Sequence, residues 1–220
     1  MEVQYHWAGD FTDPVASRIK QSYNYIPHHN VLDEYLLRLP GGSGYNYRKM
    51  INNLVSITPD PRYLEVGCLY GSTACATLYR NKLSATCIDN FSWNNKEWFM
   101  ANIKAVTNGG NIDCRVIEND FRKVDYNSIG KHNIYMFDGP HLEQDQYDGV
   151  AIAQNALDDC FTLIVDDYND GRVQRGTQNA IKDLGLKEVA SLTIITPEDY
   201  PRGQNSDWHF GYYIAVLKKP

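Results

Sequence analysis

Three aspartates stand at the ends of short apolar runs: Asp138 closes NIYMFD, and Asp166 and Asp167 close FTLIVDD, with 28 residues separating Asp138 from Asp166. If the two runs are neighbouring strands, the three carboxylates meet on one side of a sheet, and such a group repels itself unless a cation lies between its members. Oxygen ligands with room for water suit Mg²⁺, Mn²⁺ or Ca²⁺ better than zinc. We therefore expect Asp138, Asp166 and Asp167 to hold a divalent metal, Mg²⁺ first among them. The competing reading is that one or more of them caps the helix that follows. His141, in DGPH, lies three residues after Asp138. An imidazole with its ordinary pKa of about 6.5 can take a proton from a hydroxyl near neutral pH, which makes His141 a candidate base; a histidine at a helix start, bonded to a carboxylate, is the alternative. Asp138 can itself serve as both ligand and base.

A second group sits in YLEVGCLYGST, residues 63–73, where Gly67 and Gly71 follow an apolar run. Ligands of open α/β sheets bind beyond the carboxyl ends of the strands, where a glycine turn admits them to the backbone. The spacing is not the G-x-G-x-x-G of a pyrophosphate cradle, and an acid, Glu65, precedes the first glycine. Asp89 ends the next run, SATCID, 24 residues after Glu65, where a carboxylate can take the hydroxyls of a ribose. Asp120 follows a third run, DCRVIE. Acids at successive strand ends repel a diphosphate and suit a cationic ligand rich in hydroxyl and amino donors.

The elements that must position these residues follow from hydrophobic periodicity. Apolar runs at 62–67, 84–89, 113–118, 133–138 and 161–167 alternate with helical spacing at 72–79, 96–107, 144–157 and 173–184. Such alternation predicts a mostly parallel sheet covered on both faces. EVASLTIIT and WHFGYYIAVLK then predict a terminal hairpin with one strand antiparallel to the rest. The tyrosine-rich N-terminal residues contain no βα unit and read as a helical and looped cap, segment 1–45, on a domain spanning 46–220. The chain of 220 residues is 43% apolar, enough for one large domain. A net charge of −6 and the absence of Lys/Arg runs exclude a surface built for nucleic acid. No apolar stretch of membrane-span length and no secretory leader are visible, so we expect a cytoplasmic protein with no membrane partner. The five cysteines, Cys68, Cys75, Cys87, Cys114 and Cys160, form no CxxC pair and read as reduced core thiols.

Together, E-V-G-x-x-x-G-x-T, IDN and ENDF resemble the class I S-adenosylmethionine-dependent methyltransferases, and DGPH with VDDYN resembles their metal-dependent O-methyltransferases, of the catechol type and the macrolide or aminocoumarin sugar type. The resemblance implies a Rossmann-like, doubly wound α/β fold of seven strands, the last inserted antiparallel. It implies S-adenosylmethionine as cofactor, with Gly67 and Gly71 admitting its methionine part, Thr73 bonding its carboxylate, Glu65 supporting the loop or the amino group, Asp89 on the ribose, and Asp120 and Phe121 beside the adenine. At the position of His141 the catechol-type enzymes carry a lysine base. The implied reaction is methyl transfer to a hydroxyl of a small-molecule acceptor, a sugar or polyol being favoured. A homo-oligomer is compatible with it. Two other classes fit the same residues: a relative similar to antibiotic-tailoring hydroxylase components, and a non-catalytic S-adenosylmethionine-binding protein.

Overall fold

A computed structural model describes residues 2–107 and 112–220. Five strands run parallel: β2 (Arg62–Val66), β3 (Ser84–Asp89), β4 (Asp113–Glu118), β5 (His132–Phe137) and β6 (Leu157–Val165). The hairpin strands are β7 (Lys187–Ile195) and β8 (Tyr212–Lys218), and β1 (Gln4–Gly9) belongs to the N-terminal segment. The sheet order is β1-β7-β8-β6-β5-β2-β3-β4. From β2 the chain winds outward through β3 and β4, then returns to place β5 on the other side of β2. The strand order therefore reverses between β2 and β5, and the crevice beyond their carboxyl ends is where such sheets bind ligands.

The sheet has eight strands, not seven, and two of them oppose the parallel set. β8 runs antiparallel to both β6 and β7, as the hairpin predicted, and β1 pairs antiparallel with β7. β1 escapes a sequence reading because every one of its residues is exposed: it covers an edge and carries little of the core alternation. The N-terminal segment is thus a strand as well as helices and loops.

Period-2 alternation divides the core. Ile134 and Met136 of β5 face one layer, with helices α1 (Ala16–Asn24), α3 (Tyr45–Ile57), α4 (Ser72–Leu78) and α5 (Lys96–Thr107). Tyr135 and Phe137 face the other, with α6 (Glu143–Ile152) and α7 (Gly171–Asp183). Fully burying each such side chain contributes about 1.5–3 kcal/mol. The helix expected to reach residue 157 ends at Ile152 and passes through a 3₁₀ turn, Ala153–Ala156, because Leu157 already pairs with His132 at the start of β6.

A short helix, α2 (Glu34–Leu37), and the glycine-rich loop after it are fastened by Arg48 of α3. Its guanidinium is wholly buried and donates to the carbonyls of Leu36, Leu37 and Leu39 at 2.8–2.9 Å and to Ser43 Oγ at 3.0 Å. Burial lowers its pKa to about 10, which leaves it charged at neutral pH. The Ser43 hydroxyl meets that of Ser72, at the start of α4, at 2.9 Å. The first amides of α3 donate to the carbonyls of Ser206 and Asp207 in the β7–β8 connection. Cap, glycine turn and hairpin loop are therefore joined around one crevice. All five cysteines are free thiols. Among the described residues no helix is long and apolar enough to cross a membrane.

Candidate active site

At the reversal point lies a cavity of about 500 Å³, whose wall includes Gly67, Asp89, Asp120, Phe121, Asp138, His141, Asp166 and Asp167. The fold thus brings together eight of the eleven residues singled out from the sequence. Glu65, Gly71 and Thr73 do not line it.

Gly67 has φ +86° and a Cβ there would stand 1.9 Å from the Asp138 carbonyl oxygen. The glycine is required as much by the close approach of β2 and β5 as by any ligand. Gly71, at φ +85°, turns the chain into α4 and packs against Phe99. Thr73 is buried in the first turn of that helix. Asp89 organises the loop between the glycines: one of its oxygens accepts from the Cys68 and Leu69 amides at 2.7 and 3.0 Å, the other from the Phe91 amide at 2.6 Å. A carboxylate has about four lone-pair positions, so roughly one is left for a ligand hydroxyl. Asn95, which the sequence reading passed over, lines the same wall and donates to the Leu69 carbonyl.

Glu65 points away from the crevice because alternate residues of β2 face opposite layers, and it shares a face with Tyr63. It is 1% exposed and accepts from the Tyr63 hydroxyl at 2.7 Å. Burial, helped by the nearby Asp89 charge and opposed by the Tyr63 hydrogen bond, pushes its pKa up to about 8. Near pH 7 it is a protonated acid beneath the glycine turn.

The aspartates at the ends of β5 and β6 form the opposite wall. Burial first, then the Asp167 charge, holds Asp138 well above the usual carboxylate range; burial, Asp138 and Asp167 do the same to Asp166. Asp166 accepts from the Asp167 amide at 2.7 Å, and Asp167 itself takes the left-handed conformation, φ +53°. His141 sits between the carboxylates, Nδ1 3.2 Å from Asp167 Oδ2 and Nε2 3.7 Å from Asp138 Oδ1. His209 enters from the hairpin loop, with Nε2 3.2 Å from Asp167 Oδ1. The carboxylates favour the charged form of this ring, but the Gly203 amide donates to its Nδ1 at 2.6 Å, which requires a lone pair there; the neutral ring with its proton on Nε2 satisfies that contact.

Asp167 Oδ1 and His141 Nε2 are buried without a hydrogen-bond partner; among the described residues the acids and histidines with ligand atoms within 4.8 Å of one another are Asp166, Asp167 and His209, so of the three expected ligands Asp138 stands outside this group. Orphaned acceptors beside mutually repelling acids are what a divalent cation would satisfy, so the residues present fit such an ion. His209 was missed because 42 residues separate it from Asp167; only the return of β8 against β6 joins them.

No protein-family model matches the sequence, and none of the curated proteins does. Solved structures do match in fold. The chain is similar to the O-methyltransferase from Bacillus cereus in complex with SAH (TM-score 0.53, 15% identity, 92% of this chain and 91% of that one covered). It is also similar to the O-methyltransferase TomG from Streptomyces achromogenes, involved in tomaymycin synthesis and solved with SAM (0.53, 12%, 94% and 90%), and to precorrin-6y C5,15-methyltransferase from Geobacter metallireducens (0.55, 10%, 78% and 88%). At these identities the likeness is one of fold: the chain has the class I S-adenosylmethionine-dependent methyltransferase architecture.

Proposed function

We propose that the chain is an S-adenosylmethionine-dependent O-methyltransferase acting on a hydroxyl of a small molecule, a sugar or polyol first, with the help of a divalent ion, Mg²⁺ in the cell. The observation that carries this reading is a single cavity with the glycine turn and Asp89 on one wall and Asp138, His141, Asp166 and Asp167 on the other. Its charge agrees. Five aspartates line it against one cation, Arg122, whose guanidinium is already paired with Asp145 and Asp148. Such a cavity favours a sulfonium and a metal ion and disfavours a polyanionic acceptor such as nucleic acid.

When bound, the donor supplies an electrophilic methyl group and the ion supplies a Lewis acid that makes a hydroxyl easier to ionise. The protein's part is positioning and proton handling. Gly67, having no side chain, leaves room beside the Asp138 backbone; Asp89 fixes the loop and offers its remaining lone pair; Asp120 and Phe121 border the adenine end. Asp138, Asp166 and Asp167 would hold the ion. His141, with Asp167 at Nδ1, leaves Nε2 free to accept the hydroxyl proton. Holding the reacting atoms about 3–3.5 Å apart supplies most of the remaining acceleration.

Calorimetry with S-adenosylhomocysteine and methylation assays on diol-bearing sugars, with and without EDTA, test the reading. Product binding in both conditions, turnover lost in EDTA and restored by Mg²⁺, and a His141→Asn variant slowed about 10²- to 10⁴-fold in kcat are expected. Failure to bind the product would sink the donor assignment; turnover indifferent to EDTA would sink the metal.

A further inference from the structure

We propose that His209 is a positioning residue that orients Asp167 for the divalent ion and ties the ion site to the β7–β8 loop, an inference resting on the metal reading above. Three observations carry it. The Gly203 amide donates to His209 Nδ1 at 2.6 Å, so the neutral ring carries its proton on Nε2, the atom 3.2 Å from Asp167 Oδ1. With Nδ1 accepting from Gly203 and the proton on Nε2, the ring has no lone pair to give an ion; its Nε2–H faces Asp167 Oδ1, a buried acceptor without a hydrogen bond, and acts on the ion through that carboxylate. Second, both residues are held where they would not rest alone: His209 at φ +47° and Asp167 at φ +53° are left-handed non-glycine positions, which persist only where the surrounding structure imposes them. The surrounding contacts hold them there.

Third, those contacts form a zipper between the strand-end loop of β6 and the hairpin loop. The Tyr168 and Asn169 amides donate to the carbonyls of Gly211 and Phe210, and the Asn169 side chain donates to the Thr196 carbonyl and accepts from the Thr196 amide. The His209 amide donates to Ser206 Oγ at 2.9 Å, while the carbonyls of Ser206 and Asp207 receive the first amides of α3. His209 is the point at which this scaffold touches the carboxylate group. Groups that orient a metal's ligands typically change affinity by about 10- to 100-fold when removed.

The test measures Mn²⁺ affinity, by electron paramagnetic resonance of the free ion, on EDTA-stripped full-length protein without donor. His209→Ala should weaken binding about 10- to 100-fold. His209→Gln, whose amide N–H can replace Nε2–H, should recover most of it; His209→Asn, which can replace only the Nδ1 acceptor, should not. Melting in EDTA should fall equally in all three, separating orientation of Asp167 from loop stability. If the alanine variant fails to fold, the contrast between Gln and Asn decides. Wild-type affinity in His209→Ala overturns the proposal, as does rescue by Asn but not Gln, or equal complete loss in all three, the signature of a direct ligand. Absence of Mn²⁺ binding by the wild type overturns the metal reading itself.

Discussion

The two walls of the cavity are built on opposite principles. On the glycine-turn wall most polar groups are answered by the protein: Asp89 receives three backbone amides and the buried acid beneath, Glu65, keeps its proton and the Tyr63 hydroxyl. On the aspartate wall burial and the Asp167 charge push both Asp138 and Asp166 toward protonation, Asp138 adding to the effect on Asp166, and buried acceptors lack partners. The first wall leaves little open, Asn95 Oδ1 and roughly one lone-pair position of Asp89 among it. The second is unfinished until positive charge arrives, and an unfinished buried group is where folding stability has been given up for function.

The comparison breaks most visibly at Gly67. A side chain there must displace the Asp138 carbonyl and adopt φ +86°, combining overpacking of about 1–3 kcal/mol with strain of similar size. Gly67→Val should therefore lose most of its cooperative melting transition, seen by circular dichroism; a well-folded variant that merely fails to bind donor would show that the turn is less tied to β5 than the structure implies.

Glu65→Gln sharpens the contrast through pH. The carboxyl titrates near 4.5 when unperturbed and at about 8 in the folded chain, so across that window the folded state holds a proton that the unfolded state has released. Stability supplied by this group is therefore whole below pH 4.5 and drains away as pH rises, by about 1.4 kcal/mol per unit, until the folded chain ionises. The glutamine variant, which can still accept from Tyr63, should show a flatter profile in urea melts from pH 5 to 8 and be the more stable protein at pH 8. Parallel profiles would mean that Glu65 is ionised in the fold.

The smallest effect should have the opposite sign to ordinary core damage. In EDTA at pH 7, Asp166→Asn removes one of three repelling acids while keeping an oxygen for the Asp167 amide. It should melt above the wild type, by roughly 2–4 °C for each kcal/mol relieved, and bind Mn²⁺ far more weakly. A lower melting point would place the aspartate wall with the glycine wall, as a finished structure.

What the sequence disclosed and what it hid follow the same division. Strand ends were legible because runs such as FTLIV are buried on both sides and end abruptly in acids. Each of Asp89, Asp120, Asp138, Asp166 and Asp167 consequently reached the cavity. Of the two roles read for Glu65, support of the loop or of an amino group, its place outside the cavity wall agrees with the first, and the alternation of side chains along β2 already assigns it to Tyr63's face. β1 was illegible because an exposed edge strand needs little apolar patterning, and His209 because its meaning arises only when β8 closes against β6. Residues acting from the ends of their own strand could be read; those acting through a neighbour brought up by the fold could not.

Arg48 sets the terms of any opening of the cap. One guanidinium satisfies three carbonyls and a hydroxyl, and withdrawing it would strand every one of them together with a buried charge. The segment from α2 through the glycine-rich loop thus has no inexpensive partial release: it detaches as a unit or stays docked. That behaviour is the mechanics of a latch, in which the rim of the cavity above the glycine turn is either fully formed or absent, with little populated in between.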